Sequence, residues 1–500
     1  MYQPTAGSTI TQFITYAEFK KYISSFDLIS ILFQLQKHSA LMKNQIHVNV
    51  KMEIDYRVSP KIEHEFLLSK HCLSFLSKEA ALNCKNTSRN FNDLDFVNCI
   101  NAYENLISDL NHEATKDEND KDSWLWVLRA TNLQHFYTRI PSHIIARYYY
   151  IFSNIQLYFP DFETKIKALL NINFISIIKI GFFVWALVNQ NTYFQKSNIL
   201  NSPVFSRNGF TEEDLDIFMS LFSSNVSDLK RGFKNFLIKD ILLKKYEFNP
   251  LRVSPIISTQ SDVEREKFII PSLGDFAYAF SEGIYYLLLD TLEKSDKKQY
   301  LQSIGSVFES YVGNLLKYYN IDILSRCVIF PEQKYKIKKQ EKKSADWILV
   351  SDEYILQIEC KKRKFDNYSK AGIDGDSIGI NYIITDVAEQ LDKLIQKEDD
   401  ILNNRINSIK YSKQKIINII VYLDEMFSID IYARNAIKSV MKSKSDNFLI
   451  LGCYEFEALC QLCRESNCGI YQSLDGGGSK ILAIQHNDFL ADEAKKILVF

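Results

Sequence analysis

Apolar residues up to about residue 295 recur mostly three and four positions apart, which is the spacing of amphipathic α-helices. One helix start is well marked, because Thr211 can cap a helix while Asp214 sits three positions later. Leu215, Phe218 and Phe222 then line one face of that helix. We therefore predict a mainly helical N-terminal region.

Runs with the alternation and the residue types of strands first become frequent beyond Ser295. An amphipathic helix over 303–319 comes first. The pattern then predicts strands over 326–331, 346–350, Tyr354–Lys361, 416–423 and 448–453, with helices over 385–396 and after Cys453. Strands and helices in this order favour a mixed sheet, so the predicted fold class is α/β with a mainly helical region in front.

Two changes of pattern divide the chain. The run 111–123, NHEATKDENDKDS, has many charges and no apolar period, which is typical of a solvated connection. The second change lies near Ser295, where SDKKQ precedes a new amphipathic helix. We predict a helical region over 1–110, a helical domain over 123–295 that senses a partner or binds nucleic acid, and a mixed-sheet domain over 296–500.

The charge balance gives the molecule no polyelectrolyte character, because 60 basic residues face 61 acidic ones for a net charge of −1. Any nucleic-acid affinity must therefore come from local patches. Nine scattered cysteines, and a first segment without a basic and apolar leader, favour reduced thiols and a cytoplasmic location. The most apolar segment, 174–188, is short for a membrane span and carries Lys179, so we predict a buried helix and no membrane contact.

The segment 344–363 predicts a hairpin of two short strands joined by a polar turn at 351–353. Because side chains alternate along a strand, Glu359 and Lys361 share its polar face while Cys360 points into the core. We expect Asp346 opposite Glu359 and the polar face left open for chemistry. Two carboxylates at one point repel unless a cation lies between them, and Mg²⁺ or Mn²⁺ prefers such oxygen ligands. With a lysine beside it, such an ion suits phosphodiester hydrolysis.

Asp346, twelve intervening residues and then Glu359-Cys360-Lys361 resemble the motif of the PD-(D/E)XK nucleases, which have a restriction-endonuclease-like fold. The resemblance implies that Asp346, Glu359 and the main-chain carbonyl of Cys360 bind the metal. It also implies that Lys361 assists the attacking water. Ala345 stands where the motif's name has proline, a position that bears no ligand.

Two further segments resemble the same family. The segment 305–312, GSVFESYV, looks like its first core helix, so Glu309 is a candidate to complete the metal site. The helix DVAEQLDKL looks like the one that carries a glutamine near the active site, which implies such a role for Gln390. Leu394 stands where the recombination-nuclease branch has a tyrosine, and this departure weakens assignment to that branch.

Basic residues border the proposed site on both sides and suit sequence-independent phosphate contacts. We predict that nucleic acid contacts Lys338, Lys339, Lys342, Lys343, Lys362, Arg363 and Lys364. Two solvated loops are the alternative interpretation of these clusters. Cys460, Cys463 and Cys468 roughly resemble an iron–sulfur arrangement, but the apolar helical pattern around the first two favours buried side chains.

Together these features predict a Mg²⁺- or Mn²⁺-dependent endonuclease that cleaves DNA. By analogy with similar architectures, we expect a prokaryotic restriction or antiphage defence effector. A DNA repair or recombination nuclease and a non-catalytic nucleic-acid-binding adaptor stay open as alternatives. Cutting both strands takes two sites, so the resemblance implies a homo-oligomer, a dimer or higher, and the helical N-terminal region could bind a protein partner.

Overall fold

The first part of the chain packs around a core that it shares with Leu229, Leu251, Ile257 and Ile269 of the middle region. The computed structural model describes residues 13–43, 47–54, 62–106, 140–188, 193–259, 267–364, 378–425, 434–443, 445–475, 484 and 486–498. The N-terminal elements are α1 Tyr16–Ile23, α2 Leu28–Leu41, β1 His47–Ile54, β2 Ile62–Ser69, α3 Lys70–Asn83 and α4 Asp93–Glu104. Strands β1 and β2 pair antiparallel as a hairpin. The four helices bury Phe19, Ile31, Leu76 and Phe96 together, so the predicted helical character of this region is confirmed apart from the hairpin.

The middle region is helical with one small sheet. Its helices are α5 Pro141–Asn154, α6 Phe162–Leu170, α7 Phe174–Leu187, α8 Lys196–Leu200, α9 Pro203–Arg207, α10 Glu212–Phe222, α11 Val226–Phe233, α12 Leu273–Ala279 and α13 Glu282–Thr291. The sheet has the order β3 Ser223–Asn225, β4 Ile256–Thr259, β5 Lys267–Ile269. The predicted cap is confirmed, because the Thr211 hydroxyl accepts from the Asp214 N–H and the Asp214 carboxylate accepts from the Thr211 N–H.

The apolar helix α7 lies inside the protein, as predicted, with Phe174, Ile177 and Val184 fully buried. In the described part of the chain no single helix has the length and apolarity to cross a membrane. Only α6 and α7, which are bent by 66° relative to each other, pass those criteria jointly.

The C-terminal region is a mixed α/β structure built on a five-stranded sheet. Its elements are α14 Lys294–Tyr318, α15 Ile321–Leu324, β6 Val328–Pro331, β7 Lys334–Ile337, β8 Gln340–Lys343, β9 Trp347–Val350, β10 Tyr354–Lys361, α16 Ile378–Gln396, α17 Glu398–Leu402, β11 Lys415–Tyr422, α18 Arg434–Val440, β12 Phe448–Gly452, α19 Cys453–Ser466, α20 Ile470–Asp475 and α21 Asp488–Lys495. The sheet order is β12-β11-β10-β9-β6, with β10, β11 and β12 parallel and β9 antiparallel to both its neighbours. Each of the five strands predicted from the pattern is present to within about two residues.

Helices cover both faces of this sheet. Leu356, Ile358 and Cys360 of β10 pack into the core that includes α14, whereas Ile355 packs into the core that includes α16. The predicted alternation is therefore confirmed. The expectation of an open polar face is wrong, because Gln357 on that face is 0% exposed and donates to Asn418 Oδ1 at 2.9 Å. Only the end of the face, where Glu359 and Lys361 lie, reaches solvent.

One continuous core crosses the predicted division near Ser295, with buried residues from Ile144 to Leu498. Helix α14 begins at Lys294, so the division coincides with the start of a helix rather than with a gap between cores. Buried Arg147 on α5 donates two bonds of 2.6 Å to Glu457 on α19 and one of 2.8 Å to Glu425. The middle helices and the sheet region are thus packed together. The other predicted division, at 111–123, lies outside the described residues.

Candidate active site

The pairing of β9 with β10 brings Asp346 opposite Glu359. Ile348 pairs with Gln357 and Trp347 with Ile358, so the next step in this register joins Asp346 to Glu359. Asp346 Oδ2 accepts a 2.7 Å hydrogen bond from the Cys360 N–H. The N–H and C=O of a strand residue point toward the same neighbouring strand, so the Cys360 carbonyl also faces the Asp346 side. The two carboxylates and this carbonyl therefore converge at one end of the hairpin.

A third carboxylate, Glu309 on α14, lies near enough for its charge to act on Asp346 and Glu359. The Trp347 indole Nε1 donates to the Glu309 main-chain oxygen at 3.0 Å, which ties the middle of α14 to the start of β9. One helical turn after Glu309, Gly313 makes room for the indole, because a Cβ at Gly313 would overlap its ring. A glycine at this position is therefore a condition for bringing Glu309 close to the two strand carboxylates.

The electrostatics of the cluster show how crowded its negative charge is. Burial, followed by repulsion from Glu359 and Glu309, raises the pKa of Asp346 from 3.8 to about 7. Burial, followed by repulsion from Glu332 and Glu359, also raises the pKa of Glu309. Burial opposes the ionisation of Glu359 too, but Lys361 and Lys397 outweigh it and lower the pKa of that carboxyl. Glu359 thus ionises more readily than the other two carboxyl groups, whose pKa values are raised.

Two lysines hold the Glu359 carboxylate. Lys361 Nζ lies 2.9 Å from Glu359 Oε1, and Lys397 Nζ lies 2.8 Å from Oε2. Lys397, between α16 and α17, was not among the residues predicted from the sequence. It follows Gln390 by seven residues, which places both on one face of a helix, and this spacing is the signal that could have found it. Glu332, which pairs with Lys343 at 3.0 Å near the cluster, was also missed.

The donor chemistry of this cluster fits a divalent cation. Glu309, Asp346 and Glu359 supply the carboxylate oxygens that Mg²⁺ and Mn²⁺ prefer, and their mutual repulsion would be relieved by a positive ion between them. In the structure described, Lys361 and Lys397 occupy the Glu359 carboxylate instead. Among the described residues, no three histidine, cysteine, aspartate or glutamate side chains are arranged closely enough to hold a metal ion.

The predicted glutamine is less closely tied to the cluster. Gln390 is half-buried on α16, and within the described residues no hydrogen bond joins it to the three carboxylates. One turn earlier, Asp386 pairs with Arg363, which follows the motif lysine by two residues. Helix α16 therefore contacts the end of the motif through Asp386 and Lys397, on either side of Gln390.

The lysines ahead of Asp346 form an exposed antiparallel hairpin, β7 with β8. Lys338 and Lys339 occupy its turn, where Lys338 has a φ of 55°, and both are exposed. Lys342 pairs with Asp400 at 3.2 Å, and Lys343 pairs with Glu332 while keeping a side chain 60% exposed. All four predicted residues can therefore be reached from solvent, and the two in the turn are the most accessible to a phosphate backbone.

The basic residues after Glu359 behave differently. Lys362 is half-buried and donates to the Leu301 main-chain oxygen on α14, and Arg363 pairs with Asp386. Lys364 has a side chain that is only 1% exposed, and it donates to Glu282 and, at 2.6 Å, to Tyr148. Its ammonium also lies over three tyrosine rings. The expectation that Lys364 contacts nucleic acid is therefore corrected, because the middle helices enclose this side chain.

The C-terminal cysteines form part of the core. Cys460 and Cys463 are buried on α19, as the apolar pattern predicted. Cys463 and Cys468 both lie within hydrogen-bonding distance of the Ser473 hydroxyl, at 3.4 and 3.1 Å. Their sulfur atoms have polar partners in the fold, and burial raises the pKa of the Cys463 thiol to about 12.

Comparisons of the chain with protein-family models, with curated proteins and with solved structures each found no match. The case for an activity therefore rests on the carboxylates, the lysines and the sheet that holds them. A cluster of this kind, with perturbed carboxyl pKa values at a solvent-accessible strand end, is typical of functional sites.

Proposed function

We propose that this chain hydrolyses phosphodiester bonds in DNA with the help of Mg²⁺ or Mn²⁺. The sheet β12-β11-β10-β9-β6 between α14 and α16 is consistent with a restriction-endonuclease-like core. The observation that carries the proposal is the register that sets Asp346 opposite Glu359 beside Lys361, with Glu309 near enough for its charge to raise the pKa of Asp346. A role as a restriction or defence effector follows only from the family resemblance.

Each residue of the cluster has a task in this proposal. Asp346, Glu359 and the Cys360 carbonyl would hold the cation, and Glu309 would complete its ligands. Such an ion activates a water molecule and polarises a phosphoryl oxygen when it is bound. Lys361 is 25% exposed beside Glu359, where its ammonium can orient the attacking water or neutralise charge that develops on the phosphate. The site thus combines acceptors for a cation with the positive charge of Lys361.

The substrate side of the proposal rests on the exposed β7–β8 hairpin. Lys343 at its base precedes Asp346 by three residues, and Lys338 and Lys339 are exposed at its turn. Contacts between lysines and phosphates bind nucleic acid without reading its sequence. The hairpin would therefore hold the backbone near the cluster, and DNA rather than RNA is the substrate that the resemblance favours.

A second candidate function is a nuclease-like domain that grips nucleic acid without cutting it. One observation favours it, since lysines occupy both oxygens of Glu359 and neutralise that carboxylate without a metal. In this case the lysines would act as structural partners of the glutamate. Nucleic-acid binding would then be independent of divalent ions.

Purified full-length chain should be incubated with linear, circular and single-stranded DNA and with RNA, under Mg²⁺ or Mn²⁺ and under chelator. We expect metal-dependent cleavage that is lost in Asp346→Ala and in Lys361→Ala. Asp352→Ala, in the exposed turn of the same hairpin, is the matched control and should cleave normally. Retained metal-dependent cleavage by Asp346→Ala would refute the proposal. Binding that is unchanged by chelator, with no cleavage of any substrate, would support the second candidate.

A further inference from the structure

Each oxygen of the Glu359 carboxylate already contacts an ammonium group. Lys361 takes Oε1 and Lys397 takes Oε2, at 2.9 and 2.8 Å, and the Glu359 side chain is only 15% exposed. By contrast, Asp346 Oδ2 accepts from the Cys360 N–H, and no described residue donates a hydrogen bond to Oδ1. The obstacle to a shared cation between the two carboxylates therefore lies on the Glu359 side.

The two lysines are not equivalent. Lys361 belongs to the same strand as Glu359, two residues further along, and moves with it. Lys397 comes from the end of α16 and also donates to the main-chain oxygen of Ser344 at 3.0 Å. Ser344 lies two residues before Asp346. The Lys397 ammonium therefore links the segment just before β9 to the Glu359 carboxylate at the end of β10. A cation shared by Asp346 and Glu359 would link the same two segments.

We propose that Lys397 is a positioning residue that stands in for the divalent ion on Glu359 and must release Oε2 before the ion binds. The proposal rests on the metal site of the proposed function. An ammonium and a divalent cation on one carboxylate oxygen repel each other, so binding of the ion favours release of the ammonium. Lys397 is 24% exposed, and its flexible four-carbon stem lets the ammonium move into solvent without a change in the backbone.

The test measures Mn²⁺ affinity in the absence of substrate. Mn²⁺ is titrated into full-length wild-type chain, Lys397→Met, Lys397→Arg and Lys393→Met, with free Mn²⁺ followed by electron paramagnetic resonance. Lys397→Met keeps an apolar stem and removes the charge, and should bind Mn²⁺ about tenfold more tightly, equivalent to about 1.4 kcal/mol. Lys397→Arg should bind like the wild type. Lys393, exposed on the same helix, provides the matched control, and its substitution should leave the affinity unchanged.

The outcomes separate the two proposals. Suppose that the wild type binds Mn²⁺, that Asp346→Ala does not, and that Lys397→Met binds it equally or more weakly than the wild type. This result would overturn the role of Lys397 and leave the metal site standing. A lack of Asp346-dependent Mn²⁺ binding in both wild type and Lys397→Met would refute the metal site itself.

A second measurement uses the wild type alone, so it does not depend on the folding of a variant. Acylation of Lys397 by an amine-reactive reagent, read by peptide mass, should rise when Mn²⁺ is added, because the ammonium is released from Glu359. Unchanged reactivity at a Mn²⁺ concentration that saturates the site would overturn the proposal.

Discussion

Replacing Asp346 with asparagine should stabilise the chain in the absence of metal, and more so as the pH rises. The folded protein keeps Asp346 protonated up to about pH 7, whereas the unfolded chain ionises it above its ordinary pKa of 3.8. Unfolding therefore releases a proton between these values, and the stability of the metal-free chain falls as the pH rises through that window. Asparagine has nearly the same shape, can still accept from the Cys360 N–H, and does not ionise.

The size of the effect follows from the change in pKa. A rise from 3.8 to about 7 corresponds to at most about 4 kcal/mol of stability lost by the wild type at alkaline pH. Movement of the neighbouring lysines toward the ionised carboxylate would reduce this loss, so we expect about 2 to 4 kcal/mol. The other titrating groups are shared by both proteins, and their contributions cancel largely in the difference.

The assay is urea unfolding of both proteins under chelator at several values between about pH 4.5 and about pH 8.5. The free energy of unfolding of the variant minus that of the wild type should increase up to about pH 7 and then level off. A saturating Mn²⁺ concentration, about 100 times the dissociation constant, should then stabilise the wild type by about 2.7 kcal/mol and the variant much less. A difference that does not vary with pH, or a variant that is less stable at alkaline pH, would refute this account of the carboxylate cluster.

Three other substitutions test the surroundings of the site. Gly313→Ala should displace the Trp347 indole, because the new methyl group overlaps its ring. The expected result is altered tryptophan fluorescence and lower stability. An unchanged spectrum would contradict the packing. Arg147→Met removes the cation that pairs with two buried glutamates, and should lower the free energy of unfolding in urea by about 3 to 5 kcal/mol. A change within about 0.5 kcal/mol would disprove this. Charge reversal of Lys338 and Lys339 together should weaken DNA binding without changing stability. The slope of the logarithm of the binding constant against the logarithm of salt concentration should fall in magnitude by about two. Unaltered affinity would show that the hairpin does not contact DNA.

The strands and the facing carboxylates could be predicted because they depend on local sequence. Alternation along 354–361 fixed which side chains share a face, and the short turn fixed the register that sets Asp346 opposite Glu359. Helix α14 was recognisable from its own apolar spacing, and its glycine and glutamate lie where the packing of Trp347 requires them. The hairpin and the helix need no knowledge of distant parts of the chain, whereas the contact of α14 with Trp347 spans 38 residues.

The errors concern contacts between distant segments. Lys364 looked like part of a solvated basic run, but Tyr148, 216 residues earlier, and Glu282, 82 residues earlier, enclose it. Lys397 reaches Glu359 across 38 residues, and its role depends on where α16 ends relative to the sheet. Gln357 was expected on an open face, yet α16 covers that face. The Gln357 side chain is therefore buried and donates a hydrogen bond to Asn418. Local spacing does not show which distant segments cover Lys364 and Gln357.

The account depends most on a cation site shared by Asp346 and Glu359, and metal-soaked crystals test it most directly. Crystals of the full chain soaked in Mn²⁺ and measured with anomalous scattering should show one peak within about 2.5 Å of both carboxylates. Lys397 Nζ should have left Glu359 Oε2 in the same crystals. A map with no peak between these residues, or with Mn²⁺ bound only elsewhere while both lysines still hold Glu359, would contradict the central claim.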